Sequence, residues 1–196
     1  MSHKDVKYVN KLFKQAGRTL HNNPAQCTSA TGNHGGELFA AKSFVFTIVV
    51  PRAIFDFIAR ETGTPCRFAA CIVRVKSVSY LLVTLYWKCN VGIQDNYCRF
   101  EQLRLLVKYF NLPFIAIGDY NCTPEEVVES GWLNLHLDAM VRVPTVSRDD
   151  PTFAATSLLN KTDRMIDFVL HSRCLDGLIH KLYLIREGFA THFPLS

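Results

Sequence analysis

Phe114-Ile115-Ala116-Ile117-Gly118-Asp119-Tyr120-Asn121 is the stretch whose reading decides the architecture. Its four leading residues form a short continuous apolar run, the pattern of a strand covered on both faces. The polar tetrapeptide 118–121 then sits at the C-terminal mouth of that strand. On an extended chain, residues two apart point to the same side, so Asp119 and Asn121 can reach one ligand. Hydrolysis of a phosphodiester needs a held water, an acceptor for its proton and donors for the charged oxygens. Asp119 suits the second need and Asn121 the third. The alternative is an Asp/Asn turn that merely links a strand to a helix.

Outward on the N-terminal side, residues 97–111 carry Phe100, Leu103, Val107 and Phe110 at spacings of three and four, with Asn96 as the cap. This predicts a helix. Residues 44–50, 67–75 and 80–87 are β-branched or aromatic runs bounded by Pro, Gly or polar residues, and predict buried or half-buried strands. Between two of them, Ile54, Phe55, Phe57 and Ile58 also fit a short helix, so 52–61 is ambiguous. The opening 6–20 sets Val9, Leu12, Phe13 and Ala16 on one helical face, 21–34 reads as a polar loop, and Gly35-Gly36 leads into a strand over 37–41.

On the C-terminal side, Thr123-Pro124-Glu125-Glu126 combines an N-cap hydroxyl, a proline at the first helical position and two carboxylates at the positive helix end. Strands are expected around 137–143 and over 165–171, with a Pro/Asp/Thr-rich loop between them. Strands separated by helices, around buried apolar strands, indicate a layered α/β domain.

Composition bounds the reading. At 196 residues, 48% apolar and 20% charged, the chain supports one sizeable core, so a single domain over 1–196 is expected. No apolar run approaches the roughly 18 residues of a membrane span. The basic N-terminus has no apolar core region, so no secretory signal is read and an intracellular place, nucleus or cytoplasm, is expected. Seven cysteines with no C-x-x-C pair argue for reduced thiols against both a disulfide framework and a thiolate zinc site. The net charge of +5 favours approach to a polyanion, although the basic residues are scattered and such a charge also serves solubility.

Two further residues stand out. Asp167 is a carboxylate inside the apolar run 165–168, where a charge is costly unless paired. His192 lies in Ala190-Thr191-His192-Phe193-Pro194, and an Asp that orients a His fixes its tautomer and raises its pKa. Singly, each also fits a satisfied core residue.

Taken in order, these motifs resemble the endonuclease/exonuclease/phosphatase superfamily, which includes abasic-site endonucleases, deoxyribonuclease I and retroelement endonucleases. Its pattern is a Gly-Asp-Phe-Asn segment after a buried strand, then an (Arg/Ser)-(Ile/Leu)-Asp-(Tyr/Phe) strand, then Ser-Asp-His-x-Pro. Gly118-Asp119-Tyr120-Asn121, Met165-Ile166-Asp167-Phe168 and Thr191-His192-Phe193-Pro194 match these in turn. The resemblance implies a four-layer α/β (α+β) sandwich, two mixed β-sheets face to face with helices outside.

It also implies metal-dependent phosphodiester hydrolysis with Mg2+ or Mn2+, by a monomer whose partner is nucleic acid or another phosphodiester. Asp119 would position or deprotonate the water, Asn121 would contact the scissile phosphate, and His192 would bind a phosphate oxygen while Asp167 orients it. Tyr86 and Asn90 would hold the phosphate, although the family spaces that pair one residue closer. Two departures bear on the metal. Thr191 stands where many members have a carboxylate, so it offers only a neutral oxygen. The family's first strands, with an Asn and a Gln-Glu pair whose glutamate is the principal ligand, have no counterpart, so a domain lacking its N-terminal strands is expected. Glu37 and Glu61 are nearby carboxylates in neither context. Impaired catalysis follows, with a non-catalytic relic that binds phosphates or nucleic acid as the alternative. Action on an inositol phosphate or phospholipid headgroup is the further alternative, because the superfamily sets selectivity by loops.

Overall fold

The computed structural model describes residues 3–23, 26–29, 32–34, 37–88, 91–144 and 165–179. Helix α1 spans His3–Gln15. It is followed by β1 (Arg18–Asn23), β2 (Gln26–Ser29), β3 (Gly32–His34), β4 (Glu37–Lys42) and β5 (Phe46–Val49). Next come α2 (Arg52–Thr62), β6 (Phe68–Val75), β7 (Val78–Tyr86), a 3-10 turn (Gln94–Asn96) and α3 (Tyr97–Phe110). The apolar run that opened the sequence reading is β8 (Phe114–Asp119). Beyond it lie α4 (Pro124–Glu129), α5 (Trp132–His136), β9 (Ala139–Arg142), β10 (Asp167–Ser172) and a closing 3-10 turn (Arg173–Leu178).

Six strands form one sheet in the order β5-β6-β7-β8-β10-β9. Its single parallel pair, β7 with β8, is joined through α3, as a parallel connection requires. The other pairings are antiparallel. Alternation divides the faces. Leu81, Val83 and Leu85 of β7, Phe114 and Ala116 of β8, and Phe168 and Leu170 of β10 meet Ile54, Phe55 and Ile58 of α2 and Phe100, Leu103 and Leu106 of α3 in one core. Each large side chain sealed there contributes about 1.5–3 kcal/mol.

The opposite face of β6 and β7 is covered by a smaller antiparallel sheet, β1 with β4, whose register runs from Arg18↔Lys42 to Asn23↔Glu37. His21 of β1 reaches Thr47 of β5 at 2.8 Å between Nε2 and Oγ1, and its burial lowers the imidazole pKa. The expected architecture is therefore present: two sheets face to face, α2 and α3 outside the larger, α1 against β1 of the smaller. Among the described residues only the larger sheet is mixed.

Several local expectations are corrected. The first helix ends at Gln15, because Gly17 turns left-handed at φ 67° and releases the chain into β1. The polar stretch read as a loop over 21–34 carries the end of β1 and the hairpin β2–β3. Backbone pairing builds those strands without the apolar alternation on which a sequence reading depends. The ambiguous 52–61 is helical, stopped by Gly63 at φ 64°. The short helix α5, entered from Gly131 at φ 70°, was not anticipated. The run 44–50 yields only four strand residues at a sheet edge, with Phe44 82% and Val49 65% exposed rather than buried. By contrast, the cap at Thr123 forms as read: its hydroxyl accepts from the Glu126 N–H, and the Glu126 carboxylate accepts from the Thr123 N–H.

Candidate active site

Three of the expected site residues fall in one row. Tyr86 pairs with Asp119 across the parallel strands, and Asp119 pairs with Asp167 across the antiparallel ones. Paired residues share a face, and neighbouring strands are about 4.8 Å apart, so the three side chains stand side by side over about 10 Å. They occupy the face away from α2 and α3, at the C-terminal ends of β7 and β8, which is where open α/β sheets place their ligands. Asp119 is buried, while Tyr86 and Asp167 are half-buried.

Each member of the tetrapeptide has a separate task. Gly118 lies opposite Leu85, and a Cβ there would collide with the Leu85 carbonyl oxygen, so only glycine lets β7 and β8 approach this closely. Tyr120 points to the other face and is fully buried. It stacks on Phe168 with centroids 4.1 Å apart, meets Trp87 edge-on at 4.7 Å, and donates its hydroxyl to the Ala116 carbonyl at 2.8 Å. Burial raises its phenol well above the usual range.

Asn121 does not continue an extended chain, as the sequence reading assumed. It turns left-handed at φ 51°, a conformation that Asn tolerates better than most residues. Its N–H donates to Asp119 Oδ1 at 2.8 Å, and its side-chain Nδ2 donates to the Trp87 carbonyl at 2.9 Å. Asp119 and Asn121 are thus brought together by a side-chain turn that also fixes the Asp119 rotamer. The turn reading of this segment holds, and the turn brings the two candidate site residues together.

Asn96 is not the side-chain cap of α3. Its fully buried amide accepts from the Lys88 N–H at 3.1 Å and donates to the Lys88 carbonyl at 3.2 Å, which pins the chain two residues beyond Tyr86. Asn90, Thr191 and His192 lie outside the described residues, as do Gly35 and Gly36. Glu61 belongs to α2, which packs on the opposite face, so it does not join the row.

One neighbour was missed. Arg67 directly precedes β6 and sets its guanidinium over the Tyr86 ring, 6.0 Å from the centroid. Its carbonyl accepts the Tyr86 N–H at 3.1 Å. The signal lay in the sequence, because counting back from the two-residue turn between Val75 and Val78 puts Arg67 opposite Tyr86.

No protein-family model matches the chain, and no curated protein matches it in sequence. Solved structures do. The endonuclease domain of TRAS1, a telomere-specific non-LTR retrotransposon, superposes with a TM-score of 0.63 at 13% identity, over 96% of this chain and 88% of that one. The 3' phosphatase NExo from Neisseria, bound to a product DNA hairpin, gives 0.61 at 14% identity over 97% and 82%. An endonuclease/exonuclease/phosphatase family protein from Leptotrichia buccalis gives 0.54 at 11% identity over 96% and 76%. The chain has the endonuclease/exonuclease/phosphatase fold, the deoxyribonuclease I-like sandwich. Among the described residues no helix is long and apolar enough to cross a membrane.

Proposed function

We propose that this chain carries the catalytic machinery of a phosphodiester hydrolase of nucleic-acid endonuclease type, impaired in this form. The observation that carries the reading is the row Tyr86, Asp119, Asp167 at the C-terminal mouth of the parallel pair. Two solved relatives of this fold are named for action on nucleic acid, a retrotransposon endonuclease domain and a phosphatase bound to a DNA hairpin. The net charge of +5 agrees with a polyanionic partner.

In this reading Asp119 orients a water and takes its proton, a role typically worth 10²- to 10⁴-fold in rate. The second N–H of the Asn121 amide and the Tyr86 phenol donate to phosphate oxygens, where charge accumulates as the bond to the leaving oxygen breaks. Asp167 orients His192, which donates to another phosphate oxygen, and Asn90 assists Tyr86. The metal would be Mg2+ or Mn2+. Asp119 and Asp167 stand opposite each other on paired strands and offer hard oxygen donors of the kind such a cation takes. When bound, the ion supplies neutralisation of the phosphate and of the leaving oxygen.

A second reading, a non-catalytic relic that still binds phosphates, is favoured by one observation. Among the described residues no group of three His, Cys, Asp or Glu is placed to hold a metal. A cation there would lean on water and substrate oxygens. Thr191 adds a neutral oxygen at most.

The experiment is a cleavage assay on plasmid and abasic-site duplex with Mg2+ or Mn2+. The chain alone is expected to cut weakly or not at all, and a version extended by strands bearing the Asn and the Gln-Glu pair is expected to cut. Asp119→Ala and His192→Ala should each abolish most of that activity. Vigorous turnover by the chain alone would assign the ligand role to another carboxylate such as Glu37. An extended protein inert on every phosphodiester tried would establish the relic.

A further inference from the structure

The row described above continues past Tyr86. Extending the β6–β7 register by one residue places Arg67, just before β6, opposite Tyr86 and on its face, so Arg67, Tyr86, Asp119 and Asp167 lie at one level across neighbouring chain segments. Among the described residues Arg52 is answered by Asp56 at 3.0 Å, Arg142 by Asp176 at 2.8 Å and Arg173 by Asp138 at 2.9 Å, while Arg18, Arg60 and Arg74 are exposed to water. Arg67 is half-buried, and among the described residues its guanidinium is held by the Tyr86 ring and has no carboxylate partner. A half-desolvated guanidinium with no carboxylate, stacked on a phenol that faces a phosphate site, calls for an anion of its own.

We infer that Arg67 is a substrate-phosphate contact: its guanidinium donates to a non-bridging oxygen of the phosphate that Tyr86 also holds, while the stack orients the Tyr86 ring. This rests on the phosphodiesterase reading and adds to it a cation at the rim of the row. Substrate charge would lie between Arg67 on one side and the carboxylates on the other. The stack needs the flat guanidinium, whereas the charge alone could come from lysine.

The test measures binding of a short DNA duplex by fluorescence anisotropy in EDTA, so that no cleavage intervenes, between 50 and 200 mM NaCl. One lost phosphate contact lowers the slope of log affinity against log salt by about 0.9, which shrinks the affinity change over that range by about threefold. Arg67→Met is expected to show that loss, Arg67→Lys to keep the slope with weaker binding, and Arg52→Met, on the outer face of α2, to match wild type. Arg67→Gln replaces Arg67→Met if the latter melts below the assay temperature. A wild type that binds, with an Arg67→Met slope equal to its own, overturns the role of Arg67 and leaves the wider reading standing. A wild type with no salt-dependent binding overturns both.

Discussion

The two faces of β8 differ in what their residues are asked to do. Toward α2 and α3, Phe114 and Ala116 are fitted into a sealed apolar core together with the neighbouring Tyr120, while Gly118 lets the backbone of β7 approach. On the other face, at the same end of the strand, Asp119 opposes Asp167 directly, an arrangement that works against folding unless something outside the pair answers the charge. One face is built for packing and the other gathers polar and charged side chains. Residues of the first type should cost stability when changed, and those of the second should cost function while leaving stability level or higher.

The sharpest way to break this contrast is Gly118→Ala, a change of one methyl group on the packing face. The new Cβ collides with backbone of β7, which cannot give way as a flexible side chain would, so the expected loss exceeds about 3 kcal/mol. Urea or thermal unfolding reads it, and a variant melting within a degree or two of wild type would show that β7 and β8 lie further apart than described.

Tyr120→Phe is a milder probe of the same face. It removes the hydroxyl bond to the Ala116 carbonyl but keeps the stack on Phe168, so about 1 kcal/mol of stability should be lost and the salt-dependent affinity for duplex DNA should not change. The family pattern, which has Phe at this position, points the same way. A change in that affinity with stability intact would place Tyr120 in the site rather than beneath it.

What was legible in the sequence follows the same division. The strand 114–119, the helix over 97–110 and the capping box at Thr123 were readable because apolar period, length and cap chemistry agreed. Asp119 and Asp167, which the fold sets opposite each other, stood out because a carboxylate at the end of, or inside, an apolar run has few bland explanations. The strands β1 to β3 were not, since polar strands announce themselves only through their partners. Asn96 was misassigned because a residue before a helix is usually its cap, whereas here the buried amide serves Lys88. Arg67 was hidden because its role depends on register across a hairpin, which no single-strand pattern reports.

The most direct measurement is the melting of wild type and Asp119→Asn in EDTA and in excess Mg2+. The substitution keeps an oxygen to accept the Asn121 N–H, removes the charge and turns the other carboxylate oxygen into an amide donor. The expected result is a variant that melts at or above the wild-type temperature in EDTA, with Mg2+ raising the wild type and not the variant, because a ligand that binds only the native state stabilises it. A variant that melts several degrees lower in EDTA would make Asp119 a structural residue and contradict the division between the two faces.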